Sequence, residues 1–120
     1  MKVIIAGGRD FAKYKLLCKV CDEKLAFYFD VEIISGTARG ADSLGERYAR
    51  EKGYKLQRIP ANWDRYGKSA GYKRNAVMAD YADMAIIFWD GRSKGTQHMI
   101  KLANRVGLIV VVQYYKKEES

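Results

Sequence analysis

MAIIFWDGRSKGT, residues Met84–Thr96, decides how this chain folds. From Met84 to Trp89 the run is apolar without a break, so no alternation marks a water-facing side. A strand of that kind is covered on both faces and belongs at the centre of a parallel sheet. It ends in a glycine-bearing turn that leads into a helical pattern over Thr96–Arg105. The same order occurs twice earlier: KVIIA (2–6) runs into GGRDF (7–11), and VEIIS (31–35) runs into GTARGAD (36–42).

Outward from these runs the chain alternates strand and helix. Lys2–Ala6, Val31–Ile34, Tyr54–Ile59, Met84–Trp89 and Leu108–Gln113 read as strands. Tyr14–Phe29 carries Leu17, Cys21, Leu25 and Tyr28 at helical spacing, and Ala41–Lys52 carries Leu44, Tyr48 and Ala49 with Gly53 placed to cap its end. A helix is predicted over Ala70–Tyr81, after Pro60–Ser69, the longest irregular stretch. Strands separated by helices imply right-handed crossovers. The expected fold is α/β: a single Rossmann-like three-layer domain, with a mainly parallel five-stranded sheet and helices on both faces. It is expected to span residues 1–113, with 114–120 as a C-terminal tail. Ligands of such sheets sit beyond the carboxyl ends of the strands, where the strand order reverses, and all three glycine turns fall at carboxyl ends.

Composition narrows the function classes. At 120 residues, 48% hydrophobic and 30% charged, the chain fits one globular domain. No apolar run reaches the roughly 18 residues that a membrane span needs. The start, MKVIIAGGRD, lacks the continuous apolar region of a signal peptide, so a cytoplasmic location without membrane association is expected. Cys18 and Cys21 fall on one face of the first helix. A zinc site would need further ligands, and His98 is the lone histidine, so both are read as reduced, core-facing residues and no metal site is assigned. The net charge of +8 favours an anionic partner, the more so because Arg9, Arg39, Arg65, Lys68, Lys73, Arg74, Arg92 and Lys94 fall in or beside expected loops.

Glycine turns opening helices suit phosphate, because the backbone can approach closely and free N–H groups at a positive dipole end face the anion. Gly7, Gly8, Gly36, Gly40 and Gly95 are candidates for close approach, with Arg9, Asp10, Ser35, Arg39, Asp42 and Thr96 beside them. Asp90 follows the central strand, where it is placed either to bind ribose hydroxyls or to form the turn. Trp63 and Tyr72 are candidates to cover a purine ring, with core anchoring as the alternative. The dinucleotide fingerprint G-x-G-x-x-G is absent. Gly67-Lys68-Ser69 matches the end of a P-loop, but Asn62 stands where its first glycine is required.

The combination IIAGGRDF, SGTARGAD, IPANWDRYGKSAGYKRNAVMADYADMAIIFWDG and SKGT, from about Val3 to Ala103, resembles the YspA-type, cpYpsA-related branch of the SLOG superfamily. That resemblance implies a Rossmann-like domain for nucleotides or nucleotide-derived ligands, with the LOG phosphoribohydrolases and the DNA-processing protein DprA as distant relatives. Arg74-Asn75-Ala76-Val77-Met78 matches the LOG arginine pattern, which implies that Arg74 meets a ligand phosphate. The LOG motif G-T-x-x-E is matched by Gly95 and Thr96, but its catalytic Glu is replaced by Met99. A thioether neither takes a proton nor stabilises a positive sugar, so no catalytic residue is assigned. The expected activity is binding of an ADP-ribose, NAD-related or cyclic-nucleotide ligand, with no required cofactor. The alternatives are a nucleotide-processing hydrolase using Asp10, Asp42 or Asp90, and DprA-like nucleic-acid binding. Homo-oligomerisation stays open, with Tyr114 and Tyr115 as interface candidates.

Overall fold

The computed structural model describes residues 1–116. The elements in chain order are β1 (Lys2–Gly7), α1 (Tyr14–Leu25), β2 (Glu32–Ser35), α2 (Ala41–Lys52), β3 (Lys55–Arg58), α3 (Trp63–Tyr66), α4 (Ala70–Tyr81), β4 (Met84–Trp89), α5 (Lys94–Val106) and β5 (Ile109–Tyr114), with a 3-10 turn at Gly67–Ser69. The strand order is β3-β2-β1-β4-β5, and every pairing is parallel. Right-handed crossovers explain the layers: the chain moves outward in one direction through β2 and β3, then returns to start again at β4 in the other. One apolar cluster joins Val3, Ile5 and Ile86 to Leu17 and Cys21 of α1 and Tyr48 of α2. The other joins Ile4, Ala85 and Ile87 to Met78 of α4 and Met99 and Ala103 of α5. The sheet is thus covered on both faces, and strand order reverses between β1 and β4.

β4 has the burial its composition demanded, with Met84 to Phe88 almost wholly inaccessible. Cys21 is buried in the first cluster and Cys18 is partly buried; both are free thiols, and burial pushes the Cys21 thiol up to about 12.

Besides one-residue shifts at the ends of β1, β2 and β3, four elements differ from the expected ones. α1 stops at Leu25 rather than Phe29: Phe27 and Phe29 are 90% and 88% exposed, and Asp30 turns the chain at φ 52°. The stretch before α4 is not wholly irregular, because the Asn62 side chain accepts the Arg65 N–H at 3.1 Å and opens the short helix α3. α5 begins earlier, at Lys94. At the end of the chain, Tyr114 completes β5 and Tyr115 is buried against Phe11, so the first residues of the expected tail belong to the body; 117–120 lie outside the described residues.

Two loops cross at Gly40. Its φ of 73° is left-handed, and a Cβ there would strike the Gly8 carbonyl oxygen and lie 2.6 Å from the Arg9 carbonyl carbon. The crossing is held by the Ala41 N–H, which donates to the Gly8 carbonyl at 3.1 Å. Gly40→Ala combines left-handed strain with a clash against backbone, so we expect a loss of about 3 kcal/mol in urea unfolding. A loss below about 1 kcal/mol would show that the loops part freely.

Candidate functional site

At the carboxyl end of the sheet, over the gap between β1 and β4, lies a cavity of about 520 Å³. The end of β1 and the loop after it supply Gly7, Gly8, Arg9 and Asp10; the start of α2 supplies Asp42; α3, α4 and the turn between them supply Trp63, Lys68, Tyr72, Arg74 and Asn75; the loop after β4 and the start of α5 supply Asp90, Ser93, Gly95 and Thr96. Met78 and Met99, each about 1% exposed, add two thioethers to the wall.

The α5 end has the features of an anion site. Ser93 makes no side-chain cap to the helix, nothing lies within 4 Å of where a Cβ of Gly95 would be, and the first-turn amides of a helix have no partner within it. Asp90 shapes this turn: its Oδ1 accepts the N–H groups of Arg92 and Ser93, both at 2.8 Å. Trp63 and Tyr72 are 51% and 48% exposed and line the same space. That exposure removes the core-anchor alternative for both.

Four of the expected ligand contacts stand outside the cavity. Ser35 is buried, donates to Glu46 at 2.5 Å and accepts the Thr37 N–H at 3.0 Å, fixing the β2–α2 loop from within. Gly36 is the passage for Arg74, which donates through Nη1 to the Gly36 carbonyl oxygen; a Cβ there would sit 2.8 Å from both that nitrogen and Asp42 Oδ2. Gly40 serves the loop crossing, and Arg39 is exposed without lining the cavity. Residues not singled out from the sequence as ligand contacts line it instead: Ala6, Ala38, Gly71, Met78 and Ser93. Gly71, Arg74, Asn75 and Met78 share one face of α4 at spacings of three and four, a stripe that was available in the sequence.

Arg74 is in place but partly committed. Its Nε donates to Asn75 Oδ1 at 3.0 Å while Nη1 holds Gly36, so the full guanidinium fork is not presented to a phosphate. Because Asn75 Oδ1 faces a donor, its Nδ2 faces His98 Nδ1 at 3.3 Å, and that ring nitrogen acts as the acceptor. Burial, with Arg105 nearby, lowers the His98 pKa and favours this neutral form. Among the described residues no carboxylate is hydrogen-bonded to His98; the Tyr72 ring lies 4.4 Å away.

Asp42 is 5% exposed, and its Oδ2 accepts the Ala38 N–H at 3.1 Å. Burial raises its carboxyl from 3.8 to about 6, against the opposing pull of that N–H and of Arg74 and Arg9. Asp10 accepts the Tyr115 hydroxyl at 2.7 Å. Among the described residues, no group of three or more His, Cys, Asp or Glu is placed to hold a metal ion, and no helix is long and apolar enough to cross a membrane.

A family model described as the YspA, cpYpsA-related SLOG family matches residues 1–66, the part that carries the first two glycine turns. The chain is also similar to the Gene 61 protein of Mycobacterium phage D29, at 32% identity over 117 residues, covering 92% of this chain and 94% of that protein. No solved structure matches.

The raised Asp42 carboxyl has a definite sign for stability. The folded state binds this proton more tightly than the unfolded state, so stability is greatest below about 4 and falls as pH rises through about 6. The shift of about two units is worth roughly 3 kcal/mol. Asp42→Asn copies the neutral form, so its melting temperature is expected to exceed that of the parent at pH 7.5 and to match it near pH 4. Equal melting temperatures at both pH values would refute the assignment.

Proposed function

The chain belongs to the YspA, cpYpsA-related SLOG family, and we propose that its cavity binds a nucleotide-derived small molecule of the ADP-ribose, NAD-related or cyclic-nucleotide type. The observation that carries this reading is the convergence, on one cavity at the strand-order reversal, of an uncapped helix start, basic side chains and half-exposed aromatic rings. The phosphate is assigned to the Gly95 and Thr96 amides with Arg9 and Lys68 at the rim, and the base to Trp63 and Tyr72.

Binding without LOG-type hydrolysis is supported by Met99, which lines the cavity four residues after Gly95 and offers no proton-accepting group. One observation favours a second reading, a nucleotide-processing hydrolase: Asp42 reaches the cavity with its proton held up to about 6, which suits a general acid.

Mass spectrometry of compounds released from natively purified protein, followed by thermal shift with the same compounds, tests the proposal. Ligand at 100 times its dissociation constant is expected to add about 2.7 kcal/mol of stability. Trp63→Ala should weaken binding at least tenfold at unchanged unfolding free energy, since Trp63 is half exposed. No released nucleotide and no shift with any compound of these classes would sink the binding reading; product formation that Asp42→Asn abolishes would select the hydrolase.

A further inference from the structure

The two outer strands of the sheet differ in a way that bears on assembly. β3 reads KLQR, with Lys55 and Arg58 exposed on a short edge, the usual protection against strand pairing. β5 reads IVVVQY and has neither charge nor proline. Its register against β4 runs unbroken from Ile109 to Tyr114, so no bulge turns the edge away. Ile109 and Tyr114 are 49% and 61% exposed, and Val106 beside them is 45% exposed.

The backbone states which groups face outward. The Ile109 N–H donates to Asp83 and the Tyr115 N–H to Trp89, so by strand alternation the odd-numbered residues from 109 to 115 face β4. The N–H and C=O groups of Val110, Val112 and Tyr114 therefore point to the open edge, where no strand of the described residues lies. The Tyr114 carbonyl is met only locally, by the Gln113 side-chain amide at 2.9 Å.

We infer that β5 pairs antiparallel with β5 of a second copy of this chain, across a two-fold axis at Val112, extending the sheet through both molecules. The outward set Val110, Val112, Tyr114 is symmetric about Val112 and is its own complement. In this register Val112 exchanges both hydrogen bonds with Val112 of the second copy, and Val110 does so with Tyr114 of the second copy. Residues directly opposite then share a face, as a continuous sheet requires. Charge selects the occupant: two copies at net charge +8 repel through most surfaces, whereas Leu108 to Tyr115 carries no charge. An acidic partner would instead be drawn to the basic loops at the cavity. Val112 belongs to neither apolar cluster nor to the residues packed against them, so it is available for this contact.

Sedimentation velocity of the full chain at tens of micromolar is expected to give a dimer. Val112→Lys should be monomeric at that concentration, because it would set two like charges opposite each other across the axis, with a circular dichroism melt close to the parent's, because Val112 belongs to neither apolar cluster. In a Cys18→Ser background, Val112→Cys should form a disulfide-linked dimer on mild oxidation, since a hydrogen-bonded antiparallel pair brings Cα atoms to about 5.5 Å, whereas Val111→Cys should not. A parent that stays monomeric at 100 micromolar, a dimer indifferent to Val112→Lys, or cross-linking by Val111→Cys in place of Val112→Cys would each overturn the inference.

Discussion

The backbone of one residue, Gly8, ties the cavity together. Its N–H donates to the Phe88 carbonyl of β4 at 3.1 Å, and its own carbonyl receives the N–H groups of Ala41 at 3.1 Å and Phe11 at 3.2 Å. The loop after β1, the start of α2 and the end of β4 therefore meet at the two amides that flank one buried residue. Burial makes these bonds obligatory, because an unpaired peptide group away from water costs about 1–3 kcal/mol. No side chain fits at Gly8: a Cβ would fall on the Tyr115 hydroxyl. Tyr115 in turn packs its ring against Phe11 at 4.8 Å, so the end of the chain closes the first loop. Opposite crossover directions on either side of the β1–β4 pair open a gap there, and the Gly8 contacts keep its rim in one shape.

Elements governed by local rules were legible in the sequence, and contacts between distant residues were not. α2, α4 and β4 have the expected bounds. For α2 the apolar stripe and a left-handed Gly53 act within one element, at φ 72°. α1 was overrun because Tyr28 continues the period of Leu17, Cys21 and Leu25, although its neighbours Phe27 and Phe29 have no sheet to cover. Tyr115 was placed in a tail because its hydroxyl partner, Asp10, is 105 residues away.

The cavity itself was legible because glycine turns at strand ends converge wherever strand order reverses, and Gly7, Gly8, Arg9, Asp10, Asp42, Trp63, Arg74, Asn75, Asp90, Gly95 and Thr96 all line it. Gly36 and Gly40 stand outside the cavity for one reason. Glycine signals that something comes close, and the sequence does not say whether it is a ligand or another stretch of the same chain. At Gly95 the space is open; at Gly36 it holds an arginine, and at Gly40 a neighbouring loop.

The same economy governs the carboxylates at the cavity. Asp90 receives two amides of its own turn, Asp42 receives the Ala38 amide beside the Arg74 passage, and Asp10 receives the Tyr115 hydroxyl. Each therefore holds the loop on which it stands. A group that must take up or release a proton during a reaction would loosen those bonds at the moment when the cavity has to keep its shape. At Asp42 burial also raises the carboxyl to about 6, so its charge is held against desolvation. The thioethers of Met78 and Met99 complete the wall of the same cavity, so of the groups that line it Asp42 is the one whose proton burial holds.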